Sequence, residues 1–242
     1  MKIKFFVAFA VISAMVCSCS KGSPEDSPGG QEVVETSIIV NGHEAVDLGL
    51  SVKWATCNIG ATKPQEYGDY FAWGETVSKS DYRWKTYKWC KGGSETNLTK
   101  YNTSSKLGAV DNKILLDSED DVASVKWKGG WRMPTYEEFN ELKSKCTSTW
   151  TDDYNGTGVS GRVFTSRLSG YESRSIFLPV AGCYMYGVSK DSEGKRGYYW
   201  SSSLYIDNSR APWFFYFIQS SSPSLVAAQG RCCGFSVRPV IK

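Results

Sequence analysis

From Trp213 to Ile218 the sequence reads Trp-Phe-Phe-Tyr-Phe-Ile, six large apolar residues in a row just after Pro212. In an extended chain, successive side chains point to opposite faces, so Trp213, Phe215 and Phe217 share one side and Phe214, Tyr216 and Ile218 the other. One such face forms core. The second must be covered by more protein, as in a strand buried on both sides, or stand exposed as a contact surface. The sequence leaves both open. The functional expectation takes the second: the Trp213 set as core, and Phe214, Tyr216 and Ile218 as an exposed row.

Further apolar runs, at 163–165, 176–181, 198–202 and 235–240, are separated by Gly and Ser and read as strands. Earlier in the chain, 48–55 alternates apolar with small or polar residues and 70–73 is a second short strand, while 78–105 is polar and aromatic without a period and reads as a long loop. A helix is expected to start at Thr135. Pro134 precedes it, Glu138 stands three residues on as in a capping box, and Phe139, Leu142 and Cys146 share a face. Asp120 and Asp121 open a second, shorter helix before Trp127. One or two helices followed by mostly antiparallel strands predict an α+β fold with an irregular sheet. Trp54, Trp73, Trp131 and Trp200 are expected in its core.

The N-terminus has a different pattern. Lys2 and Lys4 precede an apolar run from Phe5 to Val16, the layout of a secretory signal and too short for a comfortable membrane span. The run closes on Val16-Cys17-Ser18-Cys19, which resembles a lipobox with Cys19 as the acylated residue. Residues 1–18 are therefore expected to be a signal peptide, 19–37 a lipidated flexible tether rich in Gly, Ser and Pro, and 38–242 a single domain. The expected location is the cell envelope, anchored by lipid, at the outer membrane. The formal charge of +3 falls toward neutrality once Lys2 and Lys4 are removed, and no basic block remains, so no nucleic-acid partner is expected.

Catalytic signals are few. The single histidine, His43, has no recognisable partner base, and 158–161 departs from the nucleophile elbow of serine hydrolases. Thr151 to Gly156 has the flavour of a calcium loop, but Arg162 stands where the bidentate acid belongs, so an Asx-rich turn is the better reading. Glu119, Asp120 and Asp121 read as a helix start before they read as calcium ligands. Beyond Cys19 lie Cys57, Cys90, Cys146, Cys183, Cys232 and Cys233, in no spacing typical of zinc. An oxidising envelope permits disulfides, but their connectivity cannot be read from sequence. Neither cofactor nor metal is expected.

Five blocks in order, 46–58, 67–75, 131–135, 199–202 and 234–240, resemble the Fibrobacter succinogenes major paralogous domain family. That resemblance implies a C-type-lectin-like fold, shared with formylglycine-generating enzymes and with the variable proteins of diversity-generating retroelements. In those variable proteins, adenine-directed mutagenesis rewrites codons near the C-terminus, commonly those of Asn, and cannot yield Lys, Glu, Gln, Met or Trp from them. Between Ser203 and Gly234 these types occur only as Trp213, Gln219 and Gln229. The resemblance thus implies a ligand-binding segment at 203–233, with Tyr205, Asp207, Arg210, Phe214, Tyr216, Ile218, Arg231, Cys232 and Cys233 as contacts for a protein or cell-surface ligand. The calcium motifs of sugar-binding C-type lectins are absent, so carbohydrate is not favoured. Two alternatives stand beside this non-enzymatic reading. One is an oxidase resembling formylglycine-generating enzymes, with Cys232 or Cys233 as its thiol; the other is a structural adhesin subunit.

Overall fold

The structure is a computed structural model that describes residues 38–242. The signal, Cys19 and the tether lie outside the described residues. The chain opens with β1 (Ile38–Val40) and β2 (His43–Val46), joined through Asn41 and Gly42 at φ of 50° and 81°. Two positive φ angles in an Asn-Gly pair make the tight hairpin whose twist matches its strands. β3 (Lys53–Ala55) pairs next, at Val46↔Trp54.

Two helices follow a long loop. α1 (Val122–Trp127) is capped by Asp121, whose carboxylate accepts from the amides of Ala123 and Ser124. α2 (Tyr136–Lys145) starts at the capping box anticipated from sequence: Thr135 accepts from the Glu138 amide while Glu138 reaches back to the Thr135 amide. Phe139 and Leu142 point inward from it. These reciprocal bonds satisfy two amides that the helix itself cannot.

The chain then runs directly into the antiparallel meander β4 (Cys146–Thr151), β5 (Gly161–Ser166) and β6 (Ser175–Pro179). The acidic loop between β4 and β5 is the expected Asx-rich turn. Asp153 accepts from the Gly158 amide at 2.6 Å and Asp152 from the Trp150 indole at 2.7 Å, so both carboxylates serve the loop. A short hairpin follows, β7 (Cys183–Tyr184) with β8 (Lys190–Asp191). β9 (Arg196–Leu204), β10 (Pro212–Ile218) and β11 (Ser221–Val226) form a second antiparallel sheet with β10 central. Finally β12 (Val240–Ile241) returns to pair with β3, at Val240↔Trp54. The fold is α+β with several small antiparallel sheets. Two stretches read as strands, 70–73 and 235–240, form mostly single bridges: Phe71↔Phe235 antiparallel and Tyr199↔Ser236 parallel.

The sheet around β10 is covered on both sides. On one, Phe215 stacks on Phe139 of α2 at 4.8 Å, with Phe217, Phe164, Tyr199 and Trp54 in the same cluster. On the other, Phe214 packs among Trp200, Phe235, Phe71 and Trp73, with Trp127 and Trp131 in that second cluster. All four tryptophans assigned to the core are buried. The exposed row is not there. Phe214 is only 2% exposed, and Tyr216 and Ile218 are half-buried, because the segment around Phe235 lies along β9 and covers the face expected to be free. Trp213, expected in the core with Phe215 and Phe217, is half-buried instead. It stands at the end of the strand where α2 begins, so the helix covers its neighbours and leaves its outer edge.

Candidate ligand-binding face

The binding residues expected near the C-terminus separate into a buried group and a surface group. Arg231, Cys232 and Cys233 are buried. The Arg231 guanidinium donates to the Tyr87 hydroxyl at 2.8 Å and to the carbonyls of Lys100, Tyr101 and Ser209 at 3.1–3.2 Å. It also lies over the Trp73 ring at 4.9 Å. Its charge is stabilised by carbonyl dipoles and aromatic faces, without a carboxylate among these partners. Arg231 therefore pins the 78–105 loop to the C-terminal segment and is not available to a ligand.

Cys232 is packed with Tyr70, Tyr82 and Tyr87, and the Cys233 sulfur lies 3.7 Å from that of Met185. A hydrogen bond with Cys233, followed by burial, pushes the Cys232 thiol up; burial pushes Cys183 up to about 12. All six cysteines among the described residues are free thiols. Cys232 and Cys233 are thus withdrawn from the surface as ligand contacts, and the same hydrogen bond that raises Cys232 lowers the Cys233 thiol.

Two further groups of sequence interest have local roles. The carboxylates of Asp117, Glu119 and Asp120 converge closely enough to hold a metal ion, but the Lys100 ammonium sits among them at 2.7, 3.4 and 2.6 Å. The Tyr101 hydroxyl donates to Asp120 at 2.7 Å. A cation is already supplied by the protein there. His43 stacks flat on Trp127 at 3.7 Å, and burial lowers its pKa. A neutral ring on an indole is a packing element.

The surface group lies at one end of β9 and β10. Tyr205 directly follows β9 and is half-buried; Asp207 is exposed beside it and raises the Tyr205 pKa by accepting its hydroxyl hydrogen bond. Arg210 is paired with Glu95 at 3.0 Å. Tyr205 meets the Trp213 ring at 5.0 Å and 67°, and Tyr136 meets the same indole at 4.7 Å and 49°. The Tyr136 amide, at the start of α2, donates to the Ser203 hydroxyl at 3.0 Å, which fixes the helix start against β9. Leu115 bridges to Ser203 in the main chain and is 49% exposed; Ile206, next to Tyr205, is 60% exposed.

Tyr136, Trp213 and Tyr205 thus form a half-open aromatic row, with aliphatic side chains at its margin. Sequence reasoning reached Tyr205 but missed the other two. Trp213 was grouped by parity with Phe215 and Phe217, although Pro212 marks it as a strand terminus, where parity says least about cover. Tyr136 is the first helical residue after a capping box, a position that faces whatever the cap packs against. Tyr216 and Ile218 lie farther along β10 and do not join the row. The chain matches no family model, no curated protein and no solved structure.

Proposed function

We propose that this chain is a non-enzymatic ligand-binding lipoprotein of the bacterial envelope, anchored through Cys19, and that it holds its ligand on the face built from Tyr136, Trp213 and Tyr205. The observation that carries the reading is the aromatic row itself. The Trp213 ring meets Tyr136 on one side and Tyr205 on the other, all three are half-buried, and Ile206 and Leu115 are exposed nearby. Aromatic side chains offer large contact area at small entropic cost, and they recur as anchors of interfaces. Tyr205 is among the contacts implied by the resemblance to retroelement variable proteins and to the Fibrobacter succinogenes major paralogous domain family. Trp213 lies in the same segment, 203–233, but is a type that such mutagenesis does not yield from Asn codons, so in this reading it is a fixed anchor. The C-type-lectin-like fold belongs to the same proposal.

The partner is a protein or another cell-surface molecule. The test compares fluorescently labelled protein with its Trp213→Ser/Tyr205→Ser variant for binding to intact bacterial and epithelial cells and to arrayed proteins. The variant is expected to retain its fold, shown by an unchanged far-UV spectrum and a cooperative thermal transition, and to lose about tenfold or more in binding. Equal binding by both forms removes the face from consideration. Fatty-acid labelling that persists in Cys19→Ala would remove the anchor.

A further inference from the structure

A second site lies away from the aromatic row, where the end of α2, the β4–β5 hairpin and the start of β11 enclose a cleft of about 290 Å³. Lys143, Cys146, Ser148, Arg162, Arg167, Ser222 and Pro223 line it. Three of the seven are cations and none is an acid. Among the described residues, none of Lys143, Arg162 and Arg167 forms an ion pair.

Arg162 makes this more than a basic patch. It is 6% exposed, so its guanidinium has lost most of its water. Nη1 donates to the Ser148 carbonyl and hydroxyl at 3.3 and 3.1 Å, and Nη2 to the carbonyls of Ile218, Gln219 and Ser221 at 2.9, 3.2 and 2.6 Å. Nε has no partner. Buried charges are normally matched by opposite charge, and burial here lowers the Arg162 pKa with nothing to offset it. What sets Arg162 apart from the other two buried arginines is the opening beside it. Arg231 is fully engaged, and Arg238 donates to Asn58 and to the carbonyls of Ala55 and Thr56, with its Nη2 unpartnered like the Arg162 Nε. Neither lines this cleft.

The remaining walls suit the same ligand. Ser148 accepts from Arg162, which leaves its own proton free to donate. Burial holds the Cys146 thiol up at about 11, so it adds no negative charge. Helix C-termini repel anions, but this one is blunted: the Leu142 carbonyl accepts from the Cys146 amide, that of Ser144 from the Arg167 side chain, and that of Lys145 from the Arg167 amide. Glu141, the nearest carboxylate on α2, is engaged by the amide and hydroxyl of Ser51.

We propose that this cleft is a binding site for a small tetrahedral oxyanion, a phosphate or sulfate group, held by Lys143 and Arg167 at its mouth and by the field of Arg162 beneath. The same group arrives either free or as part of a lipid headgroup. The experiment titrates the purified full-length protein in detergent with inorganic phosphate and with sulfate, reading heat and thermal midpoint. It is repeated with Lys143→Gln/Arg167→Gln, whose replaced side chains are exposed and leave Arg162 in place. Saturable binding at or below about 10 mM, weakened at least about tenfold in the double variant, is the expected result. Titration with glycerophosphoglycerol, the phosphatidylglycerol headgroup without its acyl chains, then separates the sources. Binding tighter than that of inorganic phosphate and weakened in the double variant assigns a headgroup, and binding no tighter assigns a soluble anion. No binding of either anion by about 10 mM overturns the proposal, and so does equal binding by the double variant.

Discussion

The Phe214 ring meets Phe235 nearly edge-on, with centroids 5.1 Å apart and planes at 66°. This contact seals a sheet face that alternation alone leaves free, and it reverses the roles of two neighbouring residues. Phe214→Ala should cost about 3 to 5 kcal/mol, as for other buried aromatics. Trp213→Ala should cost clearly less, since part of its ring already faces water. Chemical denaturation of the two single variants checks the order.

At the start of α2, Thr135 and Glu138 exchange hydrogen bonds across the cap. Thr135→Ala should lower stability by about 1 kcal/mol, while Thr135→Ser should restore most of it. Unfolding midpoints that do not separate Ala from Ser would show that the cap contributes nothing net.

Gly197 faces Phe217 directly across the β9–β10 ladder, and a Cβ at this position would fall 2.3 Å from the ring. The glycine makes room for an aromatic ring laid over the main chain. Gly197→Ala should therefore destabilise by about 1 to 3 kcal/mol through overpacking. Gly197→Ala combined with Phe217→Leu should recover part of that loss in the same denaturation assay, because the clash is with the ring.

Lys100 gives stability an acid limit. Its hydrogen bond, with a second from Lys113, lowers the Asp117 pKa from 3.8 to about 2. Burial alone would raise Asp120, but bonds from Lys100 and Tyr101 outweigh it and lower that pKa also. Depressed carboxyl pKa values add stability that is complete above the unfolded value and lost as pH falls through the folded one. Denaturation midpoints should accordingly fall between pH 3.8 and about 2. Asp121 acts in the opposite direction, since burial raises its pKa despite three amide donors. Lys100→Met tests the network: it should weaken the protein at neutral pH and shrink the fall attributable to Asp117 and Asp120, the remainder being held by Lys113, Tyr101 and Lys88. An unchanged acid limb in that variant would contradict the assignment.

Much of the local structure was legible because it depends on neighbours in sequence. The Thr135 cap, the Asp121 helix start, the Asx turn at 151–156 and the strands at 163–165 and 213–218 each follow from side chains a few residues apart. The cover over each strand was not legible. Whether Phe214 is core depends on Phe235 and Phe71, distant segments joined by single bridges that leave no periodic trace. The same limit governed the site. Arg231 looked like an interface anchor by residue type, yet its partners are carbonyls of Lys100, Tyr101 and Ser209. Trp213 looked like core by parity, yet the helix above it begins at Tyr136. Residue type and period describe what a side chain suits, while exposure depends on where the rest of the chain lands.

The pairing of β12 with β3, Val240 against Trp54, sets a timetable. The sheet that begins at Ile38 can close only after residue 241 has been made, and the segment around Phe235 that completes the core arrives almost as late. Partners so far apart in sequence make for slow folding. A nascent chain of this kind stays unfinished until its synthesis is nearly complete, which makes a truncation of even ten residues at its end a lesion of the whole domain.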